Sequence, residues 1–139
     1  MAMQFANVWE RVSDTVGDNI ALINGDKELS WSQLDVKAAK IATILEEYGL
    51  KSDSKVGIYL HNSNEYLEAQ YGVFKIEGVP INVNYRYKEN ELIYLLDNAD
   101  AEAVFFQGCY SERIKAIKDQ LPKIKVYIQI DDGTEPLMD

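Results

Sequence analysis

Phe74-Lys75-Ile76-Glu77-Gly78-Val79-Pro80-Ile81-Asn82-Val83-Asn84-Tyr85-Arg86-Tyr87 is the stretch on which the fold turns. An apolar helix runs into it and stops at Gly78. A strand over Val79–Val83 follows, with Pro80 near its start, and the chain then turns through asparagines and Arg86 into another helix. Strands of parallel sheets end in this way, with polar and charged residues gathered at the carboxyl edge where ligands bind.

Working outward, the pattern alternates on both sides. Upstream, Lys55–Leu60 is a short apolar strand, and a helix over about Ser63–Glu77 follows with Asn62 and Glu65 as capping residues. Its apolar residues lie nearly all round, the mark of a heavily buried helix. Downstream, Leu92, Leu95, Leu96 and Ala99 share one face of a helix over Lys88–Asn98. Then come a strand at Ala101–Phe106, a helix at Ser111–Leu121 closed by Pro122, and a strand at Lys125–Ile130. Strands alternating with helices of this length predict an α/β fold: a mainly parallel sheet flanked by helices, built of β-α-β units from about 55 to 130 with right-handed crossovers.

A helix, a short hairpin and a second helix precede these units. Phe5, Val8, Trp9, Val12 and Val16 fall on one helical face that Gly17 ends. Ile20–Ile23 and Glu28–Trp31 flank Asn24-Gly25-Asp26, a hairpin signature. Ser30 and Gln33 form a capping-box pair for a helix through Leu34, Ala38, Ile41, Leu45 and Tyr48, which Gly49 ends. Residues 1–130 read as a single unit. Residues 131–139, with four acids, a glycine and a proline, read as a solvated tail or a segment of loop.

The net charge of −9 argues against a nucleic-acid or anionic-membrane surface, which needs clustered Lys and Arg. The single cysteine, Cys109, excludes a disulfide framework and makes a reducing cytoplasm the expected compartment. No apolar run approaches the roughly 18 residues of a membrane span.

The chain holds neither Gly-x-x-x-x-Gly-Lys nor Gly-x-Gly-x-x-Gly. Asp131-Asp132-Gly133-Thr134 lacks a lysine beside it and a helix after it, so a loop is favoured over a nucleotide contact. His61, the only histidine, follows a strand at the ligand-binding edge, but acid–base work needs an orienting partner that the sequence does not name. Cys109 precedes a helix, where a thiol pKa can fall; with no histidine near it in sequence, an inert cysteine is favoured. Glu89 and Glu91 suit the helix dipole, and Asp97 and Asp100 are expected to be solvated. Arg86 is the best single candidate, a fixed cation whose fork suits phosphate, directly after a strand. The competing reading is a surface salt bridge to Glu89 or Glu91. Tyr85 and Tyr87 bracket Arg86 and could form a small aromatic–cation surface or pack the turn.

Together these pieces resemble the amino-terminal portion of the AMP-forming adenylate synthetases, the superfamily of acyl-CoA synthetases, luciferases and peptide-synthetase adenylation domains. Leu29-Ser30-Trp31-Ser32-Gln33-Leu34 is similar to the family's first core motif, Leu-Thr/Ser-Tyr-x-Glu-Leu. Phe74 to Asn82 resembles the second, in which a Lys-x-Gly turn leads into Val-Pro and a polar residue. Val83-Asn84-Tyr85-Arg86-Tyr87, followed by Glu91-Leu92-x-Tyr94-Leu95-Leu96, is most similar to the fatty-acyl-CoA ligase branch. Trp31, Gln33 and Glu77 depart from the usual tyrosine, glutamate and alanine.

The resemblance implies that residues 1–130 are the opening part of a large adenylate-forming domain. The parent enzyme would use ATP, Mg and CoA to convert a carboxylic acid, a fatty acid in this branch, to its acyl-CoA. The phosphate loop, the adenine and magnesium motifs and the catalytic lysine of the family have no counterpart here, so the chain alone is expected to be scaffold, inactive and without tight cofactor binding. Of its residues, the resemblance assigns a ligand contact only to Arg86, which would approach the phosphates of CoA. The alternatives are an adenylating enzyme with a carrier-protein or other acceptor, and a free-standing interaction module that self-associates through apolar faces.

Overall fold

The computed structural model describes residues 3–137, so Met1 and Ala2 and the last two residues of the acidic tail lie outside the described residues. Helix α3 (Asn64–Lys75) ends before Gly78, and the left-handed residue that stops it is Glu77, with φ of 58°. The Glu77 N–H donates to Phe74 O and the Gly78 N–H to Val73 O, both at 2.9 Å. This pair of bonds satisfies the last carbonyls of the helix, with Glu77 where glycine is usual. Asp53 (φ 67°) and Asp100 (φ 55°) also adopt left-handed conformations, just before strands β3 (Lys55–Tyr59) and β5 (Ala101–Gln107). Ser63 is the N-cap of α3, with its Oγ accepting from Tyr66 N at 3.4 Å, where Asn62 was the expected cap. No residue of α3 is exposed, in line with apolar residues on every side.

Contacts divide the chain into two units, neither of them continuous in sequence. The first comprises Met1–Asp53 and Asn62–Val79; the second comprises Ser54–His61 and Pro80–Asp139.

In the first unit, helix α1 (Phe5–Val16) leads into the hairpin of β1 (Ile20–Asn24) and β2 (Lys27–Ser30). Asn24 pairs with Lys27 across the turn, where Gly25 takes the left-handed φ of 61°. Ser30 caps α2 (Trp31–Glu47): its Oγ accepts from Gln33 N at 3.1 Å, while Gln33 Oε1 accepts from Ser30 N at 2.9 Å. The side of α1 that is buried holds Ala6 and Ser13, whereas Phe5, Val8 and Val16 are exposed. Small residues let the helix approach its neighbours closely, and Trp9 is its anchor. The Trp9 ring meets Tyr71, Phe74 and Trp31 edge-on at 5.0, 5.7 and 6.4 Å. Beneath it, Lys75 Nζ lies 2.8 Å from Asp35 Oδ1 and 2.9 Å from Glu10 Oε1, and the Tyr71 hydroxyl donates to Asp35 at 2.6 Å.

The sheet is four-stranded and all parallel, in the order β4-β3-β5-β6, with β4 at Val79–Asn82 and β6 at Val126–Ile130. Pro80 sits in an edge strand, where its missing N–H is tolerated. Parallel β5 is flanked by β3, with Tyr59 beside Phe106, and by β6, with Gln107 beside Ile130. Ala101 and Ala103–Phe106 are buried, the continuous apolar run expected of a parallel strand covered on both faces. Helices α4 (Glu89–Asn98) and α5 (Ser111–Ile117) supply Leu92, Leu96, Ile114 and Ile117 to the same core. Gly57 in β3 suits this packing, because a Cβ there would lie 2.8 Å from Leu96 Cδ2 and the leucine would have to shift. The helix expected over Ser111–Leu121 is shorter as an α-helix and is bounded by 3₁₀ turns at Gly108–Tyr110 and Lys118–Gln120.

Candidate functional site

From β3 the chain proceeds to β4 on one side, whereas β5 and β6 lie on the other side of β3. The strand order therefore reverses between β3 and β5, and open α/β sheets bind ligands beyond the carboxyl ends of the strands at such a point. His61 follows β3 here, the Asn84–Tyr87 turn follows β4, and Tyr110 and Arg113 follow β5.

The structure brings His61, Tyr85 and Arg86 together. His61 Nε2 shares a hydrogen bond of 2.8 Å with the Tyr110 hydroxyl. The imidazole meets the rings of Tyr85 and Tyr110 edge-on, at 5.1 and 5.4 Å. The Arg86 guanidinium lies 5.5 Å from the centre of the Tyr85 ring, so Tyr85 supplies the aromatic–cation contact. Tyr87 instead is partly buried and packs against the core that holds Leu92 and Phe106. The turn is closed locally, with Arg86 N donating to Asn84 Oδ1 at 2.9 Å and Tyr87 N to Asn84 O at 3.0 Å.

The acids that were the competing partners of Arg86 are engaged elsewhere. Glu91 Oε2 accepts from Lys88 N at 2.7 Å at the start of α4, and Glu89 Oε1 lies 4.0 Å from Arg113 Nε. Among the described residues Arg86 makes no ion pair, and its side chain is exposed. Asp97 and Asp100 are exposed but share Lys123, at 3.2 and 2.8 Å.

The segment 131–134 closes a loop. Asp132 accepts from Cys109 N at 2.9 Å and from Thr134 N at 3.0 Å, which occupies its carboxylate with backbone. Burial and the nearby Asp132 charge raise the Cys109 thiol above its ordinary pKa, opposite to what a reactive cysteine requires.

Sequence reasoning missed Tyr59, Tyr110 and Arg113. The Tyr59 hydroxyl is buried, which pushes its pKa up and keeps it protonated. It donates to Tyr87 O at 2.7 Å and accepts from Arg113 Nη1 at 2.5 Å. Arg113 lies 5.0 Å from the Tyr110 ring centre, and that ring stacks on Tyr59 at 4.8 Å. The signal available was position: Arg113 is in the first turn of the helix that follows β5, at the same edge as Arg86.

This edge offers a fixed cation on an aromatic surface and no paired nucleophile and base. The chemistry of such a surface suits an anionic, planar or phosphorylated group. Among the described residues no group of His, Cys, Asp and Glu could hold a metal ion. A concavity of about 470 Å³ in the first unit, lined by Leu22, Asn24, Asn62, Ser63, Asn64 and Tyr66 among others, has no cationic group to anchor a phosphate.

Comparison with known proteins identifies relatives of the chain. The model of the family described as AMP-binding enzyme matches residues 8–138. The chain is 38% identical over 135 residues to a 3-oxocholest-4-en-26-oate–CoA ligase of Rhodococcus rhodochrous, covering 97% of this chain and 24% of the relative. It is also 38% identical to a medium/long-chain-fatty-acid–CoA/3-oxocholest-4-en-26-oate–CoA ligase of Mycolicibacterium smegmatis, with the same coverage. The crystal structure of a long-chain-fatty-acid–CoA ligase from Archaeoglobus fulgidus shares the fold, with a TM-score of 0.86 at 17% identity over 97% of this chain and 29% of that one. The chain thus spans about a quarter of the length of the curated relatives it matches.

Proposed function

Because the chain belongs to the AMP-binding enzyme family, we propose that it is the amino-terminal part of an ATP-dependent acyl-CoA synthetase. In that reaction a carboxylate displaces pyrophosphate from ATP to form an acyl-adenylate. The CoA thiol then takes the acyl group and releases AMP. Residues 1–130 form the opening part of the large adenylate-forming domain, and 131–139 its continuation as an acidic tail or loop. The magnesium that the family implies is assigned to no residue of this chain. A cytoplasmic location accords with the single cysteine; among the described residues no helix is long and apolar enough to cross a membrane.

The observation that carries the reading for this chain is Arg86. Its guanidinium stands over the Tyr85 ring in the turn after β4, with no carboxylate partner among the described residues. A planar fork without a protein anion matches a phosphate oxygen pair, and the phosphates of CoA are the anions the reaction brings. Arg86→Ala in the full-length ligase is expected to raise the apparent KM for CoA by about tenfold, the lower end for a hydrogen bond to a charged group. ATP–pyrophosphate exchange, which precedes CoA, should persist. Unchanged CoA dependence would refute the assignment. The 139-residue chain alone is expected to give no exchange above blank.

A further inference from the structure

We propose that Arg113 is a positioning residue: with Tyr59 it clamps the Tyr87 carbonyl, sets the Asn84–Tyr87 turn and thereby aims the guanidinium of Arg86. The proposal rests on the phosphate-binding reading of Arg86 given above.

Its basis is the convergence of two donors on one acceptor. Tyr59, the last residue of β3, is fully buried and donates to Tyr87 O at 2.7 Å. Arg113 Nη1 donates to the same carbonyl at 2.9 Å and to the Tyr59 hydroxyl at 2.5 Å. A carbonyl has two lone pairs, and both are used. The clamped residue is the last of a four-residue turn whose other bonds, Arg86 N to Asn84 Oδ1 and Tyr87 N to Asn84 O, are local and exposed. Local bonds alone leave a turn free to shift as a body, and a ligand that binds on it must then bear the backbone entropy of fixing it. Tying the turn to a strand end and to α5 removes part of that cost before the ligand arrives. Arg113 is itself held, with the Tyr110 ring at 5.0 Å and Glu89 at 4.0 Å.

The test is made in the full-length ligase with R86A, R113M and the double variant, since methionine keeps the apolar stem. CoA and ATP dependence are measured beside amide hydrogen exchange of the same proteins. R113M is expected to raise the CoA KM about threefold and the ATP KM less than about twofold, and to add nothing in the R86A background, as for two residues acting as one unit. The amides of Arg86 and Tyr87 should exchange at least about tenfold faster in R113M while those of Ile58 and Phe105 keep their rates, the sign of local rather than global opening. A rise in CoA KM of equal size in the R86A background overturns positioning through Arg86. Unchanged exchange at Arg86 and Tyr87 overturns the clamp. If R86A alone leaves CoA dependence unchanged, the phosphate reading fails and takes the CoA part of this proposal with it; the amides still decide the clamp. Should R113M misfold, Tyr59→Phe removes one donor and keeps the ring, and the same turn amides must then accelerate.

Discussion

Replacing Lys75 with methionine tests the largest electrostatic feature of the first unit. Lys75 lies in the stretch that reads as the helix end, and its side chain is only 13% exposed. It donates to Glu10 at 2.9 Å and pairs with Asp35 at 2.8 Å, and the ammonium stands 4.8 Å from the Tyr71 ring centre. Methionine keeps most of the apolar stem, so the loss is chiefly electrostatic. Breaking a fully buried pair costs about 3–5 kcal/mol. Asp35 and Glu10 are 33% and 40% exposed and can rehydrate, so the expected loss is smaller, about 2 kcal/mol after allowance for solvent screening. Both tryptophans, Trp9 and Trp31, are in this unit, so their fluorescence reports its unfolding. The urea midpoint should fall by about 1–2 M.

The pH dependence adds a second check. Burial alone would raise Asp35, but the hydrogen bonds from Lys75 and Tyr71 and the lysine charge outweigh it and hold its pKa below the ordinary 3.8. Its share of the stability is therefore complete above 3.8 and is lost as the pH falls through the lowered folded value. For Lys75, burial alone would lower the pKa, but its carboxylate partners raise it above the ordinary 10.5, so its share is complete below 10.5 and is lost as the pH rises through the raised value. The deficit of Lys75→Met should accordingly be level from about pH 5 to 9 and shrink at both extremes. A midpoint within about 0.3 M of the parent at neutral pH, or a deficit that grows on acidification, would refute the reasoning.

Ser30→Ala should cost about 1 kcal/mol by removing the acceptor of Gln33 N, while Ser30→Asp stays within a few tenths; the same urea titration reads both. Cys109 should react with a neutral disulfide reagent more slowly at pH 7.5 than free cysteine does, because burial and Asp132 raise its pKa. Asp132→Asn should speed the reaction, and equal rates in the two proteins would remove Asp132 as a cause.

The strands and helices were legible because their patterns are local: the apolar run of β5, the capping box at Ser30 and the Asn-Gly hairpin each specify themselves within a few residues. Turn ends were harder. Gly78 was the expected helix stop, yet the left-handed residue is Glu77, and Asp53 and Asp100 also take this conformation without glycine. An acid in a left-handed turn carries no compositional mark, since the same residue is equally at home on a helix surface. On α1, periodicity identified the helix, but full burial falls on Ala6 and Ser13, with Trp9 and Val12 half-buried and Val8 and Val16 exposed, because close approach favours small residues and that choice depends on the neighbours. Arg86 was visible through its place after a strand. Arg113 and Tyr59 were not, since their roles are defined by a carbonyl 26 and 28 residues away in sequence.

The interleaving of the two units bears on how the protein is made. The chain crosses between them after Asp53, His61 and Val79. As it leaves the ribosome, the first 53 residues carry Trp9 and Trp31 but not Tyr71 or Phe74, the rings that enclose Trp9. That aromatic cluster must wait for a segment synthesised only after β3 has emerged, and β3 in turn awaits β5. The second unit therefore cannot mature until the first has been synthesised whole, since all of the first has emerged by Val79, before β5 is made. Nor can recombination exchange one of them by a single splice, because any one cut separates residues that belong together.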